Sequence, residues 1–251
     1  MGGRNGRLRR RRGGLDQRHS CARPKKTPVY TPEKFNIEDR EAILRFIRQN
    51  PFGLLLSVGG GVIHDTHTPF IVAEDGKQLL GHLARANPQW ASWGEGSVAK
   101  VVFSGPHAYV SPRYYESEFA VPTWNYTAVS VSGQISVHDD RDEKLDFLDQ
   151  LTAANESSDS PWILPRSDER YLKLLAGIVV FSVSIDSLEA SFKLNQNKSA
   201  ADQRKVIASL NQTGCPFDGE VASMMVKNLG EAETGVADQP AAGSGAEAEK
   251  E

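Results

Sequence analysis

Cysteine is nearly missing from this 251-residue chain: Cys21 and Cys215 stand alone and far apart. They supply neither a disulfide framework nor the clustered thiolates of a structural zinc site, and they suit a reducing compartment. Long apolar runs are missing too. No stretch approaches the roughly 18 apolar residues of a membrane span, and the N-terminus lacks the apolar centre of a secretory signal. Metal-ligand spacing is also absent. His64 and His67 lie three apart on a predicted strand and so face opposite sides, which excludes a shared ion. His107 and His138 have no partners at ligand spacing, Ser57 and Ser111 lack a nucleophile-elbow context, and no repeat or Gly-rich dinucleotide fingerprint occurs. These gaps point to a soluble intracellular protein without a hydrolase or metal signature.

Charge is plentiful and unevenly placed. Residues 1–28 carry ten Lys/Arg against one acid, Asp16, whereas residues 29–251 carry nineteen against thirty-one. The first segment is Arg/Gly-rich with little apolar spacing, and a disordered basic tail is expected there. Its run Arg9–Arg12 fits a nuclear-import or nucleic-acid patch, so the expected location is cytoplasmic, with a nuclear alternative through this run. The remainder is acidic and a poor partner for duplex DNA, whose affinity comes mainly from phosphate neutralisation. From about 217 the composition slides to Ala/Gly/Glu, the mark of a disordered acidic tail over 217–251. One domain, 29–216, is left to hold the core.

Within that domain a helix is predicted over 37–49, where Asn36 and Asp39 precede the stripe Ile43, Phe46, Ile47. Strands follow. Leu54–Val58 runs into Gly59-Gly60-Gly61, a hairpin signal, and returns as Val62–Val72. Asp75-Gly76 turns into a strand over Gln78–Ala84, and Val98–Phe103 reads as a buried run. Pro106, Pro112 and Pro122 punctuate an irregular aromatic stretch. Val129 to Val137 then alternates at period two. Helices fit 141–154, 167–175 and Ser199–Leu210, and Ile178–Ile185 is the last long strand. Short strands joined by tight turns, with helices added, make the chain mainly β, an antiparallel barrel.

Three stretches carry candidate chemistry. In Gly81-His82-Leu83-Ala84-Arg85-Ala86-Asn87-Pro88-Gln89-Trp90 a strand passes into a helix start, with Asn87 as N-cap and Pro88 at the first helical position. Free N–H groups there, with Arg85 and His82 beside them, read either as a phosphate cradle or as a plain capped helix. In Trp124-Asn125-Tyr126 two aromatic faces flank a two-sided amide, a set that suits a planar heteroaromatic ligand or, equally, a subunit interface. In Phe192–Lys198, Lys193 and Gln196 sit among amides that close over a ligand or simply form a loop.

Seven motifs in order resemble the PaiB family of FMN-binding negative transcriptional regulators. They are Tyr30-Thr31-Pro32, Asn50-Pro51-Phe52-Gly53, Thr66-His67-Thr68-Pro69-Phe70, the 81–90 stretch, Gly105–Pro112, Val121–Tyr126 and Phe192–Asn197. The resemblance spans about Val29 to Leu210. It departs at Ser191, where the family tends to have Lys, at Asn195 in place of Ser, and at Thr68 in place of an aliphatic residue. It implies a split β-barrel related to pyridoxamine-phosphate-oxidase-like proteins, working as a homodimer with FMN near the subunit interface.

On that basis the 85–90 turn is expected to hold the FMN phosphate through Arg85 and Asn87, and Trp124, Asn125 and Tyr126 to meet the isoalloxazine. Thr66 and His67 are expected at the ring edge. His82, Lys193 and Gln196 complete the expected cofactor set; no metal or catalytic residue is assigned. Three readings of the bound flavin stay open: a regulator, an FMN-dependent oxidoreductase or flavin reductase, and a store or binder of another phosphorylated heteroaromatic such as pyridoxal phosphate. The flavin carries its own redox chemistry, so the residues alone do not choose. Direct DNA binding is expected only through the basic segment.

Overall fold

Gly60 and Gly61 hold φ of 58° and 79°, the left-handed backbone that a two-residue hairpin demands and side chains with a Cβ resist. They fold β1 (Phe52–Gly59) onto β2 (Val62–Val72), with Phe52 opposite Pro69 and Gly59 opposite Val62. The turn at Asp75-Gly76 leads into β3 (Gln78–Ala84). Residues 29–156 and 159–236 are described in this computed structural model. The basic segment 1–28 and the chain from 237 onward, both expected as tails, lie outside the described residues.

Strands β4 (Val98–Val110), β5 (Thr123–His138), β6 (Ile178–Ser184) and β7 (Ser187–Lys193) complete one antiparallel sheet. Its order is β4-β1-β2-β3-β6-β5-β7, and a further pairing of β4 with β5 closes six strands into a barrel. β5 serves twice along one edge. Its residues 126–132 pair with β7 and Ile135–His138 with β6, while the Asp186 N–H between those two strands donates to Ser132. At this crossing a Cβ on Gly133 would lie 1.6 Å from the Ser184 carbonyl oxygen, so only glycine lets the strands pass.

The barrel is filled by side chains sealed from solvent, among them Leu55, Leu79, Val101, Phe103, Val131 and Phe181. Each contributes about 1.5–3 kcal/mol through apolar burial. Helix α1 (Arg40–Gln49) adds Ile43, Leu44, Phe46 and Ile47 to this core. It begins later than the predicted 37, because the Asp39 carboxylate accepts from the Glu41 and Ala42 N–H groups and so fixes the N-cap. The short helix α2 (Pro88–Ala91) follows β3.

Several boundaries differ from the sequence reading. β4 runs past Phe103 to Val110, since Pro106 falls in the bulge between Ser104 and His107, where no ladder N–H is required. β5 starts at Thr123, directly after Pro122. β7 is a strand the sequence reading did not assign, and it takes in Phe192 and Lys193 of the expected loop. Between β5 and β6 sits a helical insertion, α3 (Arg141–Asn155) and α4 (Glu169–Leu174), with a small core of Leu145, Leu164 and Leu175. Helix α5 (Ala200–Leu210) is capped by Ser199.

The largest correction concerns the expected tail from 217. Residues Pro216–Val236 form α6, whose Val221, Ala222 and Met225 are sealed against α5 and against Ala108 and Val110 of β4. A narrow face of small and flexible side chains packs closely there, and the Ala/Gly-rich composition concealed it. None of the helices formed by the described residues is long and apolar enough to cross a membrane.

Candidate functional site

The predicted site residues fall into two groups. The first gathers where β3 hands over to α2. Asn87 Oδ1 accepts the Gln89 N–H at 2.9 Å, so the cap is made as predicted, and its Nδ2 donates to Thr66 Oγ1 at 2.9 Å. The Trp90 indole N–H donates to the Arg85 carbonyl at 2.8 Å, and the Arg85 guanidinium lies 5.2 Å above the Trp90 ring. Beneath the turn, the sealed Gln89 donates from Nε2 to Ser57 Oγ at 3.0 Å, and Trp93 donates to the same hydroxyl.

Arg85 is not a bare cation waiting in a loop. Its Nε donates to the Ala176 carbonyl at 3.2 Å, and its Nη2 to the Ile178 carbonyl at 3.1 Å and to the Asp139 carboxylate. Asp139 also pairs with Lys144 at 2.6 Å. The hydrogen bonds from Arg85 and then Lys144 hold its carboxyl down at about 2. Arg85 and Lys144 thus share Asp139 beside the acidic first turn of α3, and Nη1 of Arg85 bonds none of the described residues. Asp139 and Lys144 were missed in the sequence, although an acid directly after the strand ending at His138 was the available signal. His82 packs against Phe147, ring centroids 5.5 Å apart; its Nδ1 finds no partner among the described residues, and burial lowers its pKa.

Strand parity divides what the sequence grouped. On β2, Thr66 shares the inward row with Thr68 and Phe70, whereas His67 points outward and stacks on Phe52 at 6.0 Å. The same rule splits the second group, at the far end of β4 and β5. Trp124 faces outward, 53% exposed, edge-on to Tyr109 at 5.8 Å and 6.2 Å from the His107 ring. Tyr126 shares that row, and its hydroxyl meets Ser191 Oγ at 3.2 Å. Asn125 points the other way. It is sealed beneath α6, donates to Met225 Sδ at 3.4 Å, and leaves Oδ1 without a partner among the described residues. The expected Trp–Asn–Tyr cluster is therefore not one surface.

Lys193 donates to Thr123 Oγ1 and lies 6.0 Å from the Phe35 ring, with its pKa lowered by burial. Gln196 is committed to its own loop, accepting from the Leu194 N–H at 2.7 Å and donating to the Phe192 carbonyl at 2.5 Å. It shapes that loop and has little left for a ligand.

One protomer does not bring the two groups together. Leu54 pairs with His67 on one side and Val102 on the other, and Val102 pairs with Ser130. His67 is thus three strands from Ser130, about 14 Å at the usual spacing, and Tyr126 lies four residues, about 13 Å, further along β5. The outward surface between and around them mixes apolar side chains, of which Phe52, Val58 and Ile63 are more than 60% exposed, with Asp65 and Lys100. The residues fit a phosphorylated flavin: an uncommitted guanidinium fork end suits an anion, and half-exposed aromatic faces suit a flat ring.

The architecture is the split barrel of a class of flavoproteins. It superposes with TM-score 0.51 on the FAD and heme binding protein from Mycobacterium smegmatis, at 19% identity, covering 68% of this chain and 78% of that one. The flavocytochrome Anf3 from Azotobacter vinelandii gives 0.52 at 16% identity, covering 65% and 72%. Residues 29–187 match the family described as "Putative FMN-binding domain". The "Protease synthase and sporulation protein PAI 2" of Bacillus subtilis is 33% identical over 208 residues, covering 80% of this chain and 98% of that protein. An uncharacterized protein of Emericella nidulans is 30% identical over 231 residues, covering 74% and 92%. The chain belongs to this FMN-binding, PaiB-like family, and FMN is the cofactor of its domain.

Proposed function

We propose that two copies of this chain clasp FMN between them and act as a negative regulator of gene expression in the cytoplasm. The observation that carries the reading is the separation of the anion-suited turn from the aromatic end, with Phe52, Val58 and Ile63 exposed on the outward face of β1 and β2. A second copy laid on that surface covers it and brings its own aromatic end to the first copy's turn. Arg85 and Asn87 hold the phosphate; Trp124 and Tyr126 of the other copy face the rings, with His67 at their edge. Thr66 acts through Asn87, and Asn125 and Gln196 support the packing behind.

The regulatory half of the proposal draws on the PaiB resemblance. Residues 29–229 carry an excess of acid, so the body is a poor operator reader, and contact with nucleic acid falls to the basic segment 1–28 or to a partner protein. The exposed thiol of Cys215 suits a reducing compartment. An FMN-dependent oxidoreductase is the second reading, favoured by the exposure of Tyr109 and Trp124, which leaves a ring face open to a donor.

The test is an absorbance spectrum and sedimentation run on the purified full chain, followed by addition of NADPH. A yellow dimer that NADPH leaves oxidised supports the regulator, and bleaching with turnover supports the enzyme. A colourless protein that leaves added FMN fluorescent, or a strict monomer, overturns the shared site.

A further inference from the structure

The insertion between β5 and β6, residues 140–177, leaves the barrel at Asp139 and rejoins it at Ile178. One barrel side chain grips both of its ends. Arg85 bonds Asp139 at the exit and the Ala176 and Ile178 carbonyls at the return, while its own N–H donates to the Gly177 carbonyl at 2.8 Å. Lys144, 5% exposed on α3, braces the same joint by donating to Asp139 and to the Leu175 carbonyl at 3.3 Å. The guanidinium is used along one edge only. Nε and Nη2 face the insertion, and Nη1, at the end of the fork, bonds none of the described residues. A planar fork fixed along one edge is pre-organised along the other, since its plane can no longer turn.

We infer that Arg85 is a relay: its side edge pins both ends of the insertion, and its free end receives the anionic group of the cofactor. This rests on the reading of the α2 turn as the phosphate end of the site. An anion on Nη1 holds the fork still, and the fork holds Asp139, Ala176 and Ile178. A firmly packed insertion in turn presents the fork ready for the anion. Linkage makes the effect reciprocal: flavin tightens the insertion by the factor by which the insertion tightens flavin. Occupancy is thereby reported on a helical unit with ten acids against five basic residues, counted from Asp139. A regulator needs such an output, and the barrel core, sealed and rigid, offers none.

The experiment is hydrogen exchange on the full chain with and without FMN, read at 139–145 and 172–178. The expected result is protection of both segments by about fivefold or more, within the usual range of coupling between sites. Leu175→Ala loosens the insertion from its own core, away from the anion, and is expected to raise the FMN dissociation constant about fivefold. The wild-type comparison needs no substitution, so poor folding of the variant does not blunt the test. Flavin bound with unchanged exchange at both segments overturns the relay alone, as does a folded Leu175→Ala that binds FMN like wild type. Failure of any flavin to bind overturns both the relay and the site reading beneath it.

Discussion

Around Asn87 most polar groups bond within the chain, the exceptions among the described residues being His82 Nδ1, Gln89 Oε1 and Arg85 Nη1, whereas around Trp124 large ring faces look out to solvent. The cap, the Thr66 hydroxyl, the Trp90 indole and the Arg85 fork form one bonded unit at the α2 turn. At the far end of β4 and β5, Tyr109 and Trp124 rest edge-on with half their surfaces bare. The first region is largely bonded by folding, and the second leaves ring area on the surface. On the proposed reading, the contrast separates substitutions that destabilise the fold from substitutions that weaken the pairing of two copies.

The sharpest way to break the contrast is to charge the surface that joins the two ends. Val58 and Ile63 pair across the first hairpin and both point outward, 66% and 71% exposed. Val58→Glu with Ile63→Glu leaves the fold intact, because neither side chain lies in the barrel core. Two copies then bury unpaired like charges, at a cost of several kcal/mol. Sedimentation is expected to show a monomer, with the dimer dissociation constant raised at least about a hundredfold and the FMN lost with it. A double variant that stays dimeric and yellow removes this surface from the site.

At the polar end the effect falls on stability. Asn87→Ala deletes an N-cap and the bond to Thr66, and is expected to lower unfolding free energy by about 1–2 kcal/mol in a urea titration. Trp124→Ala sharpens the difference. Its ring is half exposed, so the unfolding free energy is expected to fall by less than about 0.5 kcal/mol, while FMN affinity falls about tenfold through lost stacking. Equal losses of stability in the two variants would erase the contrast.

The same contrast explains what could be read in advance. Paired glycines, Asp75-Gly76 and the period-two run from Val129 to Val137 announced the hairpins and the barrel, because turn chemistry and alternation are local. The Asn87 cap was legible for the same reason. Parity was legible too, and it had already separated His64 from His67; applied to Thr66 and His67, or to Trp124–Tyr126, it would have placed Asn125 inside. The partners of Arg85 were not legible. Asp139 and Ile178 lie more than fifty residues away and meet it only through the pairing of β3 with β6. Nor was α6, whose buried face is too narrow to dominate its composition. Pro106 misled because a proline in a strand normally ends it, and only the bulge makes room.

The smallest expected effect tests the polar end by pH. Asp139 is held at about 2 in the folded chain, below the usual carboxylate range near 3.9. A carboxyl lowered by folding contributes stability above its unfolded pKa, and that contribution is lost as pH falls through the folded value. The window therefore lies between about pH 4 and pH 2. The group is half exposed and screened, so its contribution is under about 1 kcal/mol. Asp139→Asn keeps an acceptor for Arg85 and Lys144 but removes the charge. Urea midpoints measured from pH 5 to pH 2 should accordingly fall less steeply in the variant than in the wild type, with the two curves meeting at the acid end. Parallel curves would mean that the Arg85 joint is held by its carbonyl bonds alone, and that the charge on Asp139 is incidental to it.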